Sequence, residues 1–152
     1  GRHDSYPKRR GMTRVRELME AGVNVSLGQD CVMDPWYSMG SGDMLEVGHM
    51  AIHVGHMAGI ADRHRIYEAL TVNSARTMGL QGYGLDKGCN ADMIVLQAAD
   101  PIEALRLKPT RLTVIRRGKV IARTPPRITS LSLDGRAPRI DPGLDYRPPT
   151  AG

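Results

Sequence analysis

An aspartate closing an apolar run is the residue of this sequence best suited to chemistry. Residues 23–28 (VNVSLG) alternate apolar, β-branched positions and lead straight into Gln29-Asp30-Cys31. Such alternation predicts a buried strand. In parallel α/β sheets and barrels the reacting groups sit at the carboxyl ends of strands, so Asp30 stands where a catalytic carboxylate would stand. The plainer alternative is an aspartate that closes a turn after a strand, which aspartates often do.

Three histidines form the other pattern with chemical content. His49, His53 and His56 are spaced four and then three apart, so a helix running through all three would present them on one face, as an imidazole metal site requires. Apolar residues interleave with them, however, and no glutamate accompanies the pair as it does in HExxH. Helix packing or plain surface exposure is the better reading of this trio.

The elements that must position these groups follow from local pattern. Residues 13–22 read as a helix with Thr13 as N-cap and Gly22 as the closing glycine. A helix closed by glycine and followed at once by a short apolar strand is the αβ half of a βα repeat. After Asp30 comes VMDPWYSMGSG, a loop by its proline and glycines. Asp43 can cap a helix running to about residue 58, and a second helix is expected over roughly 63–78. Residues 91–97 and 111–123 are strand-like, the latter a hairpin turning near Arg117-Gly118, with a short helix from Pro101 to Leu107 between them. A further strand is expected over 128–133, and the proline-rich tail reads as extended or disordered.

Length and composition bound the possibilities. At 152 residues with 41% hydrophobic content, the chain suffices for one ordinary domain. It is short of the roughly 250 residues of a complete eight-stranded α/β barrel. One parallel-type strand cannot bury both faces without neighbours, so the sequence reads as a fragment of a larger fold. No signal peptide and no apolar run of membrane-spanning length are visible. Two well-separated cysteines, Cys31 and Cys89, fit free thiols in a reducing, cytoplasmic setting. The formal charge of +5 is scattered, Phe is absent, and there is a single Trp, so the interleaved basic and aromatic face of a nucleic-acid binder is missing.

Three stretches, in order, resemble the metal-dependent amidohydrolase superfamily: LTVNSARTMGL (70–80) with its Thr-x-Asn-x-Ala core, LDKGCNADMIVL (85–96), and VIRRGKVIAR (114–123). Within it, GRHDSYPKRRG (1–11), VNVSLGQD (23–30) and DPWYSMG (34–40) are most similar to the cytosine deaminase-like members. The resemblance runs from residue 1 to about 133. It implies an α/β fold: the C-terminal part of a (β/α)8 TIM barrel, with the last strand and its helices, plus part of a small β-sandwich. Residues 1–80 would be barrel, 81–133 sandwich, and 134–152 tail.

The same resemblance implies the chemistry. Asp30 would ligate a divalent metal, zinc or iron, and shuttle the proton of a metal-activated water. The reaction would be hydrolytic deamination of a nitrogen heterocycle, cytosine to uracil and ammonia. The family's His-x-His ligands and its general acid would lie upstream of residue 1. Where the family shows His-Asp-Asp, this chain reads Gln29-Asp30-Cys31, which places Cys31 beside the substrate and opens ring specificity to isoguanine, a triazine or a cyclic amide; a buried, inert thiol is the alternative. Trp36 would be a substrate-pocket aromatic, or simply a packed one. The partner is then a small heterocycle, with no nucleic acid and no membrane, in an enzyme expected to be a homo-oligomer and inactive as this piece alone. The competing class is a non-catalytic interaction or nucleic-acid module.

Overall fold

The computed structural model describes residues 11–136 and the backbone of residues 139–140. The motif at 1–10 and most of the proline-rich tail lie outside them. Contacts divide the chain into two compact units, Gly1–Thr77 and Met78–Gly152.

The first unit is helical. Helix α1 spans Val15–Glu20 and starts one residue later than expected, with Arg14 rather than Thr13 at the cap and no side-chain cap bond. Its end matches the expectation. Gly22 donates to the Met19 carbonyl and Val23 to that of Leu18. This double closure needs a left-handed residue at its centre, and Gly22 supplies it with φ +77°.

Helix α2 spans Met44–Val54, and the Asp43 side chain accepts from Leu45 N–H at its start. It stops before the expected residue 58 because a second closure of the same kind intervenes. His56 donates to the His53 carbonyl and Met57 to that of Ile52. The left-handed position is held by His56, at φ +52°. Ile52 and Met57, at the two ends of that closure, are both buried.

The single helix expected over 63–78 is two. Helix α3 runs Ile60–Leu70 and helix α4 runs Val72–Thr77. The break falls at Thr71, whose hydroxyl donates to the Tyr67 carbonyl. The start is also earlier than expected, because Gly59 acts as N-cap. Helices α2 and α3 pack together, as do α3 and α4. Val15, Leu45, Ile52, Met57, Ile66, Ala69 and Ala75 are the buried apolar side chains of this unit. Asp62 is buried with them, 2.8 Å from the Arg16 guanidinium.

Residues 23–28 do not form a strand here, contrary to their alternation. A strand is defined by its ladder partners, and none runs beside this segment among the described residues. Its backbone is satisfied by the α3–α4 junction instead, as set out below.

The second unit carries a three-stranded antiparallel sheet in the order β1-β2-β3, with β1 Met93–Leu96, β2 Arg111–Arg116 and β3 Lys119–Arg123. The hairpin turns at Arg117-Gly118 as expected, with positive φ at both residues, the signature of a type I′ turn. Asp92 secures that turn by accepting from Arg117 N–H at 2.6 Å. Between β1 and β2, helix α5 spans Pro101–Leu107 as expected, and Asp100 caps it by accepting from Ile102 and Glu103 N–H. The strand expected over 128–133 shortens to β4 at Thr129–Ser130, paired with β5 at Arg139–Ile140.

Beyond the strands, Gln97 pairs with a peptide group rather than a side chain. Its Nε2 donates to the Arg127 carbonyl and its Oε1 accepts from Arg127 N–H, both at 2.8 Å. No described helix is long and apolar enough to cross a membrane.

Candidate active site

Asp30 is delivered by a segment clamped on one side. Leu27 donates its N–H to the Ala69 carbonyl at 3.0 Å. Asn73 Nδ2 donates to the Val25 carbonyl at 3.2 Å, and Ser74 Oγ lies 3.4 Å from the Leu27 carbonyl and 2.7 Å from that of Ala69. Asn24 Nδ2 donates to the Asn73 carbonyl and to Thr77 Oγ1, while Arg76 donates to Asn24 Oδ1. With the helix broken at Thr71, the side chains of Asn73 and Ser74 reach this other segment. The Thr-x-Asn-x-Ala pattern signalled this cluster, although its task was not readable from spacing.

The loop after Asp30 is built on Asp34. Its Oδ1 accepts from Trp36 N–H at 3.0 Å and Tyr37 N–H at 2.9 Å, a turn that Asp-Pro sequences favour. The Tyr37 bond, with further help from Cys31 and Trp36 and against partial loss of solvent, holds the Asp34 carboxyl below the usual carboxylate range. The loop closes where Gly40 lies flat on the Cys31 peptide. A Cβ at Gly40 would overlap the Cys31 carbonyl oxygen and lie 2.8 Å from its carbon, so only glycine fits. Trp36, at the loop's tip, is 87% exposed; among the described residues it is neither pocketed nor packed.

Cys31 sits between two carboxylates. Its Sγ lies 3.7 Å from Asp30 Oδ2. Loss of solvent, then a hydrogen bond to Asp34, then the negative charges of Asp30 and Asp34 push the thiol up to about 11. Cys31 is therefore a neutral thiol at ordinary pH, and both it and Cys89 are free.

Asp30 itself is exposed, and among the described residues only the Cys31 thiol approaches its carboxylate. The contrast with other aspartates is informative. Asp34, Asp43 and Asp100 cap backbone N–H groups, Asp62 faces Arg16, and Asp92 holds Arg117 N–H. The turn-capping task foreseen as the plain alternative for Asp30 is performed by Asp34. An exposed carboxylate met by a single thiol is the kind of group that takes one ligand position on a hard or borderline divalent cation. No cluster of three or more potential ligands occurs among the described residues, so they form no complete metal site. The three histidines do not compensate. The rings of His49 and His53 meet edge to face at 4.6 Å, but α2 ends at Val54 and His56 turns away into the left-handed closure.

Comparison with known proteins supplies the family. The amidohydrolase family profile matches residues 1–123. N-isopropylammelide isopropyl amidohydrolase of a Pseudomonas species is 31% identical over 72% of this chain and 27% of its own length. Pterin deaminase of Rhizobium rhizogenes is 31% identical over 79% of this chain and 27% of its own length. The crystal structure of 5-methylcytosine deaminase from Klebsiella pneumoniae with 5-fluorocytosine superposes with a TM-score of 0.77 at 44% identity, over 84% of this chain and 31% of that one. This chain thus spans less than a third of the length of the relatives it matches. With a family match over most of its residues and relatives of 31–44% identity, the chain belongs to the amidohydrolase family.

Proposed function

We propose that this chain supplies the last-strand carboxylate of a metal-dependent hydrolase that removes an amino group from a nitrogen heterocycle, with Asp30 as metal ligand and proton shuttle. The observation that carries the reading is Asp30 itself. It is an exposed carboxylate on an anchored segment, directly before a built loop, with no structural duty of its own among the described residues. Residues 1–80 then form the end of a (β/α)8 barrel and 81–133 part of a β-sandwich. The unladdered segment 23–28 and the exposure of Val23, Val32, Met33 and Trp36 support that arrangement, since neighbouring strands would cover them.

A bound zinc or iron ion would lower the pKa of a water toward neutrality. Asp30 would take the proton from that water's oxygen as it adds to the amidine carbon of the ring. It would return that proton to the amino nitrogen, which leaves as ammonia, while the second water proton ends on the ring nitrogen as the carbonyl forms. Cys31, neutral at working pH, would present the ring with a soft uncharged surface in place of a second carboxylate. Trp36 would lie over the heterocycle once the loop meets substrate.

Cytosine is the expected substrate, and similarity to a 5-methylcytosine deaminase extends it to cytosines substituted at the neighbouring carbon. Similarity to an N-isopropylammelide hydrolase and a pterin deaminase favours a second reading, a triazine or fused ring. Ammonia release from cytosine, 5-methylcytosine, isoguanine and ammelide by the metal-loaded holoenzyme separates the two. Asp30→Asn should lower kcat by about 10²- to 10⁴-fold, the usual weight of a positioned acid–base group. An Asp30→Asn enzyme that deaminates at the parental rate would overturn the assignment.

A further inference from the structure

We infer that Asn73, through the Val25 carbonyl, and Ser74, through the Ala69 carbonyl that Leu27 also uses, are positioning residues for Asp30, presented by the break between α3 and α4. This rests on the proposed role of Asp30 and deepens it.

An unbroken helix through Leu70–Thr77 would consume its carbonyls internally, each accepting from the N–H four residues on. Here the chain departs from the helix at Thr71, with φ −119° and ψ −95°. The Ala69 carbonyl becomes an acceptor shared by Leu27 N–H at 3.0 Å and Ser74 Oγ at 2.7 Å. Asn73 Nδ2 reaches the Val25 carbonyl at 3.2 Å, two residues away along the same segment. Val25 and Leu27 are thus each held by helix-end groups, and Asp30 follows three residues after Leu27. The chain between them, Gly28-Gln29, has little other restraint: Gln29 Nε2 donates forward to the Cys31 carbonyl. Ala75, on the same helix as Asn73 and Ser74, is buried. A carboxylate that must meet a metal and a water together requires its backbone to be held in place, and this cluster is the restraint the described residues provide.

The test uses Ser74→Ala, Asn73→Ala and Ser74→Thr in the metal-loaded holoenzyme. Ser74→Ala and Asn73→Ala should lower kcat by about 10- to 100-fold with KM little changed, and should speed loss of bound zinc to a chelator. Ser74→Thr keeps the hydroxyl and should restore most of kcat. Amide hydrogen exchange reads the restraint directly: Leu27 N–H should lose protection in both alanine variants, while Met57 N–H, bonded to Ile52 in a separate closure, keeps its own and certifies the fold. Unchanged kcat and zinc retention despite lost Leu27 protection would sink the inference, as would a Ser74→Thr variant no better than Ser74→Ala. If the parental holoenzyme deaminates no ring at all, the proposed function fails, yet zinc retention and Leu27 exchange still decide the positioning role.

Discussion

Cys31 shows how two neighbouring carboxylates govern a thiol that takes no proton from either. Withdrawal from water and the flanking Asp34 and Asp30 disfavour the thiolate, raising the group from 9.0 to about 11. The sign is clear: negative neighbours make the charged form harder to reach, so the reactive fraction at pH 8 falls. Alkylation of Cys31 by iodoacetamide should therefore be slow at pH 8 and keep rising to about pH 11. Asp34→Asn removes one of the opposing charges and should shift the profile part of the way back down, as followed by mass spectrometry of the modified peptide. Faster alkylation in the parent than in Asp34→Asn would contradict the arrangement. Asp30 was legible from position alone, as the polar end of an apolar alternation. Asp34 was not singled out, although Asp-Pro is itself a turn signal, because attention falls on the residue at a strand end rather than on the one that shapes the loop.

The two closures of α1 and α2 offer a comparison at the level of elements. They share one hydrogen-bond pattern, but Gly22 holds the left-handed position in one and His56 in the other. A side chain there is strained by roughly 1–2 kcal/mol relative to the right-handed region, and glycine relieves it. His56→Gly should raise stability by about 1 kcal/mol, read as an upward shift of the urea midpoint, and Gly22→Ala should lower it by a similar amount. Arg16 continues to donate to the residue-56 carbonyl in either case, since that 3.0 Å bond involves the main chain. An unchanged midpoint for His56→Gly would mean that the imidazole contributes as much as the strain removes. The same comparison explains what could be read in advance. The end of α1 was legible because its glycine is there to see. The end of α2 was not, because a histidine gives no local sign of a left-handed turn. The break at Thr71 was hidden for a different reason: apolar spacing continues through it, and its cause is the remote backbone of Val25 and Leu27.

Over the whole molecule, several of the described arginines are already engaged by acidic or amide groups. Arg16 and Arg65 face Asp62, Arg106 faces Glu103 and Arg116 faces Asp92. Arg76 is directed onto the amide oxygens of Asn24 and Asn73. Phosphate binding needs cations free to displace counterions, so the protein should show no salt-sensitive retention of duplex DNA at physiological ionic strength, measured by fluorescence anisotropy. Steep salt-dependent binding would revive the interaction-module alternative. The sheet hairpin and its turn were legible because their cues are local, whereas the partner of β4 lies in the proline-rich tail, where composition argued only for an extended or disordered run.

The bond pair between Gln97 and residue 127 bears on how this region can vary over evolutionary time. Pro125 and Pro126 offer no N–H, so residue 127 is the first donor after them, and Gln97 reads only its main chain. Position 127 is therefore open to drift through nearly every residue type except proline. Position 97 has no such latitude: asparagine falls a methylene short, and glutamate cannot donate. Two positions joined by the same pair of bonds should therefore differ in mutational tolerance, with position 127 the permissive one and position 97 the restricted one.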